Sequence, residues 1–515
     1  MRAGEGGPGR RHDEPEPLAR TEAFRAAPAP ILAEGRNVWR RAQARRLAFL
    51  IDGEAYFRWL DAALRAARRC IWIVGWDFDP EIRLRPCDEA AGSLGSRLRS
   101  LAESVPGIEI RILVWGEGPV YSSGRIPLLQ ETDWHEHPRI GLVYDFSHPL
   151  RASHHQKLVV IDDEIAFVGG IDLTGGRWDT RAHLASHPSR RRPDGTPYGP
   201  LHDMQVAVAG EAARLVAEVA CRRWRSATGT EVAPGTAGAS LWPADLDPDL
   251  RDCEVGIALA EPGDGERARR TDTVQLTCDA IDAARRFIYI ETQYLASSRV
   301  VRHLCARLRQ PDGPEVVILV TRDTRGILEQ WTMGYGRTLA IRRLLRAGGT
   351  ERLRIGYAVV PDGEGKDSEV LIHAKLIIVD DRFARVGSSN LNNRSGGFDT
   401  ECDVGVEAHG EEARRAIARL RNSLLAEHLD ADPDVVEGIV ARTGSVVAVI
   451  DELNVKPRGL RPYFADPRKR AGLLHLGSGI LDPKRRYWPL QRVGEVGRSA
   501  ALRVAGVLKT WFGIS

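Results

Sequence analysis

Two stretches 218 residues apart, "HQKLVVIDDEIAFVGGID" from His155 and "HAKLIIVDDRFARVGSSN" from His373, repeat one pattern of polar and apolar residues. A repeat at a fixed offset marks a duplicated architecture. Further matches follow in the same order in both copies. "AARRCIWIVGW" from Ala66 pairs with "AARRFIYIETQ" from Ala283, an offset of 217, and "IEIRILVW" (Ile108–Trp115) with "PEVVILVT" (Pro314–Thr321). "DMQVAV" at Asp203 resembles "ECDVGV" at Glu401, each leading into a helix-like segment that opens "GEAARL" or "GEEARR". Strand and helix signals alternate in the same order in both copies, which predicts an α/β fold. The predicted boundaries are 41–245 for the first half and 246–430 for the second.

The flanks differ in composition. Residues 1–40 are rich in Gly, Pro, Arg, Glu and Ala and are read as a disordered extension. Residues 431–515 are read as a basic tail. From Lys456 to Ser515 the net charge is +10, whereas the whole chain carries only +3, so the remainder is −7. The end of this tail spaces Leu502, Ala505, Val507, Leu508, Trp511 and Phe512 as one apolar face beside Arg498, Arg503 and Lys509. That pattern is a candidate amphipathic helix for an anionic lipid interface, with docking on the protein's own surface as the alternative.

The 515 residues exceed one ordinary core, and 43% hydrophobic with 28% charged residues describes a globular protein. The near-neutral body argues against a general nucleic-acid binder. Seven widely spaced cysteines form neither a disulfide framework nor a zinc ribbon. No signal-peptide pattern and no run of 18 apolar residues is present, which predicts a cytoplasmic protein, at most peripheral to a membrane.

Each copy carries H-x-K-x4-D-x6-G: His155, Lys157, Asp162 and Gly169, then His373, Lys375, Asp380 and Gly387. Residues two apart at a strand share a face, so each imidazole projects beside an ammonium. Breaking a phosphodiester needs a nucleophile, an acid for the departing alkoxide and cations for the anionic oxygens. Histidine serves the first two tasks near neutrality and lysine the third. Two such pairs brought together by a pseudo-twofold axis place histidines on opposite sides of one phosphorus. A nucleophilic imidazole needs its other nitrogen held by a carboxylate. Asp203 and Glu401, at equivalent points after each motif, are the candidates, with Asp403 as fallback. Asp162 and Asp380 lie too far along their strands for chemistry and are assigned structural roles, as are Gly169 and Gly387. Ser388, Asn390 and Asp172 are candidates for hydrogen bonds to phosphate or to the lysines.

The duplicated motif resembles the signature of the phospholipase D superfamily. "FVGGIDLTGGRWDT", "GWDFDP" and "YIETQY" are similar to its longer, phospholipid-cleaving branch. The resemblance implies two pseudo-twofold-related halves, each a mixed sheet flanked by helices, with the active site in the cleft between them. It implies metal-independent chemistry through a phosphohistidine, no cofactor, and cleavage of a glycerophospholipid to phosphatidic acid. By the same analogy His155 is the nucleophile and His373 the general acid and base, although the spacing accommodates either order. A cardiolipin synthase-type phosphatidyltransferase, a nuclease or other phosphodiesterase, and a non-enzymatic lipid-binding scaffold are the alternatives. The implied partner is a phospholipid; nucleic acid is disfavoured and oligomeric state is left open.

Other polar clusters receive plainer readings. His135 and His137 flank Glu136 without further ligands nearby, so no metal site is assigned. His154 is expected to support the motif rather than react, and Trp76 is a candidate wall of the substrate pocket. The Arg177–Asp203 connection is read as a cover for the site or as surface decoration.

Overall fold

The computed structural model describes residues 29–88, 90–117, 133–149, 152–235, 238, 240–263, 268–322, 335–348 and 351–463. The first half contains β1 (Arg40–Ile51), α1 (Asp52–Ala66), β2 (Cys70–Gly75), α2 (Leu94–Ser104), β3 (Glu109–Trp115), β4 (Ile140–Asp145), β5 (Leu158–Ile161), β6 (Ile165–Gly169), β7 (Leu201–His202), β8 (Met204–Ala209) and α3 (Glu211–Thr228). The second half repeats the order. It contains β9 (Leu250–Glu261), β10 (Arg270–Thr271), α4 (Asp272–Ala283), β11 (Phe287–Thr292), α5 (Ser298–Leu308), β12 (Glu315–Val320), α6 (Tyr335–Gly348), β13 (Leu353–Pro361), β14 (Asp367–Glu369), β15 (Leu371–Ile372), β16 (Lys375–Val379), β17 (Phe383–Gly387), β18 (Glu401–Glu407) and α7 (Glu411–Leu429). It is followed by α8 (Pro433–Thr443), α9 (Val446–Leu453) and β19 (Gly459–Pro462).

In each half three strands run parallel and the hairpin that follows the motif histidine joins them antiparallel. β2, β3 and β4 are parallel, β2 also pairs β5, and the run continues through β6 and β8 to β1. β11, β12, β13, β16, β17, β18 and β9 repeat this arrangement. The two half-sheets are not separate, as two independent mixed sheets would be. β1 pairs antiparallel with β9, from Arg40↔Ile257 to Leu47↔Leu250. Each half therefore closes the open edge of the other, which an isolated half would leave unpaired.

The apolar runs behind the motif are buried on both faces. Leu158 and Val160 face a core shared with α3 and α7, while Val159 and Ile161 face α1 and α2. In the second half Leu376 and Ile378 enter the shared core and Ile377 and Val379 face α4, α5 and α6. This is period-two alternation with helices on both sides, and it fixes the registers that carry the site.

Both β5–β6 and β16–β17 turn through two aspartates at positive φ, Asp162 and Asp163 at 52° and 59°, Asp380 and Asp381 at 55° and 52°. Such turns need left-handed backbone at both central positions, which Asp tolerates better than most residues. The Asp162 carboxylate accepts the N–H groups of Arg68, Arg69 and Cys70 at 2.7–2.8 Å. Asp380 does the same for Arg285, Arg286 and Phe287 at 2.6–2.9 Å. Each motif aspartate thus ties its hairpin to the entrance of the neighbouring strand.

Two boundaries differ from the sequence expectation. Ile31, Leu32 and Val38, placed in the extension, are buried against the second half, and Glu407 Oε2 accepts the Ile31 N–H at 2.8 Å. The segment after residue 430 also folds onto the body. Val446, Val447, Val449 and Ile450 of α9 join the shared core, and β19 pairs with β13. The first stretch is short, and the apolar run Val446–Ile450 falls in a segment bounded on charge alone; the burial of both comes from distant partners. Residues 1–28 and 464–515, with the candidate amphipathic helix, lie outside the described residues. Among the described residues no helix is long and apolar enough to cross a membrane.

Candidate active site

His155 lies just before β5 and His373 just before β16. Their partners come from the opposite half. β7 and β15 pair in parallel, Leu201↔Leu371 and His202↔Ile372, and the His373 N–H donates to the His202 carbonyl at 2.8 Å. Asp203 follows His202, so the pairing delivers its carboxylate to His373, where Nδ1 meets Asp203 Oδ2 at 2.6 Å. The other side repeats the device. A parallel bridge joins His154 to Thr400, the His155 N–H donates to the Thr400 carbonyl at 3.0 Å, and His155 Nδ1 meets Glu401 Oε2 at 2.9 Å. Each imidazole is therefore oriented by a carboxylate of the other half, across 170 and 246 residues of sequence. With Nδ1–H given to a carboxylate, Nε2 is left as the reactive lone pair. Neither Nε2 makes a hydrogen bond among the described residues.

The lysines are buried beside the histidines, Lys157 at 2% exposure and Lys375 at 1%. Lys157 Nζ donates to the His155 carbonyl at 3.0 Å and pairs with Asp172 Oδ2 at 3.1 Å. Lys375 donates to the His373 carbonyl and to Gln293 Oε1 at 3.3 Å. The two pairs are thus unequal: one ammonium has a direct carboxylate partner and the other an amide. Position 390, the repeat counterpart of Asp172, is asparagine.

These charges set the protonation states. Burial pulls His373 down to about 3, with Lys375 adding to the fall and Asp203 opposing it. Burial, then Lys157 and Lys375, holds His155 well below its ordinary value. Burial also lowers Lys375 to about 8, Asp203 opposing and Lys157 contributing. Glu401 is pushed up to about 7 by burial, against hydrogen bonds from Ser388 and Ser395. Burial raises Asp203 too, but His373 and Lys375 outweigh it and leave the carboxyl below its usual range. Burial and the positive field of the lysines thus favour the neutral form of both imidazoles, each of which also faces a carboxylate. An anionic phosphate entering between the lysines cancels that field, so one imidazole can take a proton while the other stays nucleophilic.

The model of the family described as "Phospholipase D" matches residues 142–241, which carry His155, Lys157 and Asp203. That described as "Cardiolipin synthase, PLD-like domain" matches residues 277–424, which carry His373, Lys375 and Glu401. Both halves match phospholipase D-type family models. Phospholipase D1 of Saccharomyces cerevisiae is 25% identical over 493 residues, covering 76% of this chain and 29% of that protein. Phospholipase D A of Dictyostelium discoideum is 26% identical over 469 residues, covering 75% and 36%. Phospholipase D alpha 1 of Carica papaya is 25% identical over 511 residues, covering 71% and 63%. The chain thus spans about a third of the first of these curated relatives it matches. The crystal structure of phosphatidylserine synthase from Haemophilus influenzae shares the fold, with a TM-score of 0.53 at 14% identity over 80% of this chain and 96% of that one.

Within this phospholipase D fold the motif histidines, lysines, Asp203 and Glu401 come together, and several other candidates are placed differently. Ser388, expected at phosphate, donates its hydroxyl to Glu401 Oε2 at 2.5 Å and accepts the Cys402 N–H at 3.0 Å. Asn390 is buried, and its Oδ1 has no hydrogen-bond partner among the described residues. Asp172 is held by Lys157, and accepts the Trp76 N–H at 2.9 Å. Trp76 itself is half-buried, 5.5 Å from the Trp115 ring. Asp403, the fallback, pairs with Arg385 at 2.8 Å and meets neither histidine. His154 Nε2 lies 3.1 Å from Asp145 Oδ2, in a group with Arg223. His135 packs against Trp134, and His137 Nδ1 accepts the Arg139 N–H. The Arg177–Asp203 connection is anchored by fully buried Arg190, bonded to Asp179 and to the carbonyls of Leu184, Ala185 and Tyr198.

Three contributors were not singled out from sequence. Gln293 holds Lys375, and Ser395 donates to Glu401 Oε1 at 2.6 Å. Arg177 puts a further positive charge near His373 and Lys375, its Nε without a hydrogen-bond partner among the described residues. Gln293 and Arg177 lie inside "YIETQY" and "GGRWDT", so the signal was present in the quoted motifs. Ser395 follows no repeat.

Proposed function

We propose that the chain is a phospholipase D-type phosphodiesterase that cleaves a glycerophospholipid, or transfers its phosphatidyl group, through a phosphohistidine. The observation that carries this reading is the crossed pairing of His155 with Glu401 and His373 with Asp203 around Lys157 and Lys375. In the first step His155 Nε2 bonds to phosphorus as the bond to the headgroup oxygen breaks, and His373 gives that oxygen its proton. Lys157 and Lys375 hold the nonbridging oxygens as their charge grows. In the second step His373 takes a proton from water, whose oxygen displaces His155 and yields phosphatidic acid. An alcohol in place of water gives a new phosphatidyl ester.

Transfer to an alcohol is supported specifically by the match of the second half to the cardiolipin synthase family model. Incubation with phosphatidylcholine or phosphatidylglycerol in ethanol tests both outcomes. Phosphatidylethanol is expected beside phosphatidic acid, and the ratio of the two reports transfer against hydrolysis. Activity on DNA or bis-p-nitrophenyl phosphate with none on lipid would overturn the phospholipid assignment. The substrate is membrane-borne, and peripheral contact through the basic segment after residue 463 belongs to this proposal. Sedimentation of the full chain with anionic vesicles, weakened by salt, is the expected result.

A further inference from the structure

Behind Asp203 and His373 lies a second polar cluster that the reaction does not use. It gathers Asp52 from the start of α1, His183 from the Arg177–Asp203 connection, His202 from β7 and Glu427 from α7 of the other half. All four side chains are at most 1% exposed. Their inner atoms face one another. His183 Nε2 lies 2.9 Å from Glu427 Oε1 and 3.4 Å from Asp52 Oδ2. His202 Nδ1 lies 3.0 Å from both Asp52 Oδ1 and Glu427 Oε1.

The outer atoms are already occupied. His183 Nδ1 meets Asp179 Oδ2 at 3.1 Å, and His202 Nε2 meets Glu291 Oε2 at 2.8 Å. Glu427 Oε2 accepts from Arg181 Nε at 2.6 Å. An imidazole whose far nitrogen is tied to a carboxylate presents its near nitrogen as a lone pair, which is how metal-binding histidines are oriented. His202 Nδ1 and Asp52 Oδ2 are buried and have no hydrogen-bond partner among the described residues, although potential partners stand 3.0–3.4 Å away. The distances are those of contacts, but the angles are not those of hydrogen bonds.

We propose that Asp52, His183, His202 and Glu427 form a structural binding site for a divalent transition cation, zinc by preference. Two imidazole nitrogens and two carboxylate oxygens are a zinc-type donor set, and imidazole disfavours magnesium and calcium. A tetrahedral ion with bonds of about 2.0–2.1 Å separates its ligand atoms by about 3.3 Å, and here one ligand atom of each of the four groups lies within 4.8 Å of the other three. Four protein ligands leave no open position, which makes the site structural. Its ligands join the first half to α7 of the second, and His202 immediately precedes Asp203. The ion would therefore staple the two halves beside the carboxylate that orients His373.

The test reads metal content and stability, so it stands apart from the proposed lipid chemistry. Full-length protein from metal-replete medium is assayed by inductively coupled plasma mass spectrometry, and about one equivalent of zinc per chain is expected. Unfolding in chelator and refolding without metal lowers Tm, and zinc restores it. His183→Gln and Asp52→Asn remove the metal; Glu291→Gln, which alters only an outer partner, weakens affinity about 10–100-fold. If a variant fails to fold, metal content and zinc-dependent Tm of the unaltered chain decide. No stoichiometric transition metal, together with a Tm indifferent to zinc after refolding, would overturn the proposal and leave protonated imidazoles to neutralise the carboxylates.

Discussion

Gly170 decides whether Asp203 can stand where His373 needs it. A Cβ at position 170 falls 2.1 Å from Asp203 Oδ1, 2.8 Å from Cγ and 2.9 Å from Oδ2. Carbon–oxygen contacts below 3.0 Å are not tolerated, so in Gly170→Ala the near oxygen retreats by about 1 Å and the rigid carboxylate carries Oδ2 with it. Oδ2 holds His373 Nδ1 at 2.6 Å. A displacement of about 1 Å in a positioning group costs on the order of 100-fold in rate. The expected result on phosphatidylcholine vesicles is a kcat about 100-fold lower with KM nearly unchanged. Gly387→Ala is the control. Its Cβ meets Asp403 Oδ1 at 2.0 Å, and Asp403 pairs with Arg385 rather than a histidine. That variant should lose thermal stability while kcat per folded molecule stays near the wild-type value. A Gly170→Ala enzyme with kcat within a few-fold of wild type would refute the orienting role of Asp203, as would equal losses of kcat in both variants. The counterpart of Gly170 in the second half is Ser388, whose hydroxyl reaches Glu401, so the repeat diverges where the two acids differ in length.

Other expectations follow from the same geometry. His155→Ala and His373→Ala should each lower kcat by about 10⁴-fold or more with an unchanged circular dichroism spectrum, and high activity in either would remove it from the mechanism. Asp172→Asn leaves the Lys157 ammonium buried without a carboxylate, at a cost of about 3–5 kcal/mol in urea unfolding; a loss below about 1 kcal/mol would show the pair is not needed. Asp162→Ala strips three backbone N–H groups of their acceptor, for a loss of about 2–4 kcal/mol, while kcat of the folded fraction is retained. Glu401 ionises near pH 7 in the folded chain against 4.5 for a free carboxyl. The folded state thus binds more proton between those values, and stability falls as pH rises through the window. The stability advantage of wild type over Glu401→Gln should therefore shrink by about 3 kcal/mol from pH 4.5 to pH 7, and an advantage that grows with pH would contradict the burial argument.

The sequence was most informative where the information was local. Period-two apolar runs behind His155 and His373 marked strands buried on both faces, and the Asp-Asp turns after them closed hairpins in both halves. The repeat offset paired Lys157 with Lys375, and the shared order of segments put Asp203 and Glu401 at equivalent points after each motif. Local patterns gave less where short segments depend on remote partners. Ile31, Leu32 and Val38 sit in an unremarkable stretch, and α8, α9 and β19 follow a boundary drawn on charge alone. Ser388 looked like a phosphate ligand because its hydroxyl is short and polar; which acceptor it meets is a tertiary matter.

By itself the sequence determined that this chain is a duplicated α/β protein, which residues each copy contributes, and that a phosphate is the group they suit. Tertiary structure decided how the copies are joined. The parallel contacts of β7 with β15 and of His154 with Thr400 exchange the carboxylates, so neither half holds a complete histidine–acid pair. The same folding brings Asp52, His183, His202 and Glu427 from four separated segments to one buried point. The physical reason is common to both. Side-chain periodicity records what a segment buries, but a hydrogen bond or ligand set needs atoms within about 3 Å. Across hundreds of residues that proximity depends on strand register and on the edge that β1 and β9 share.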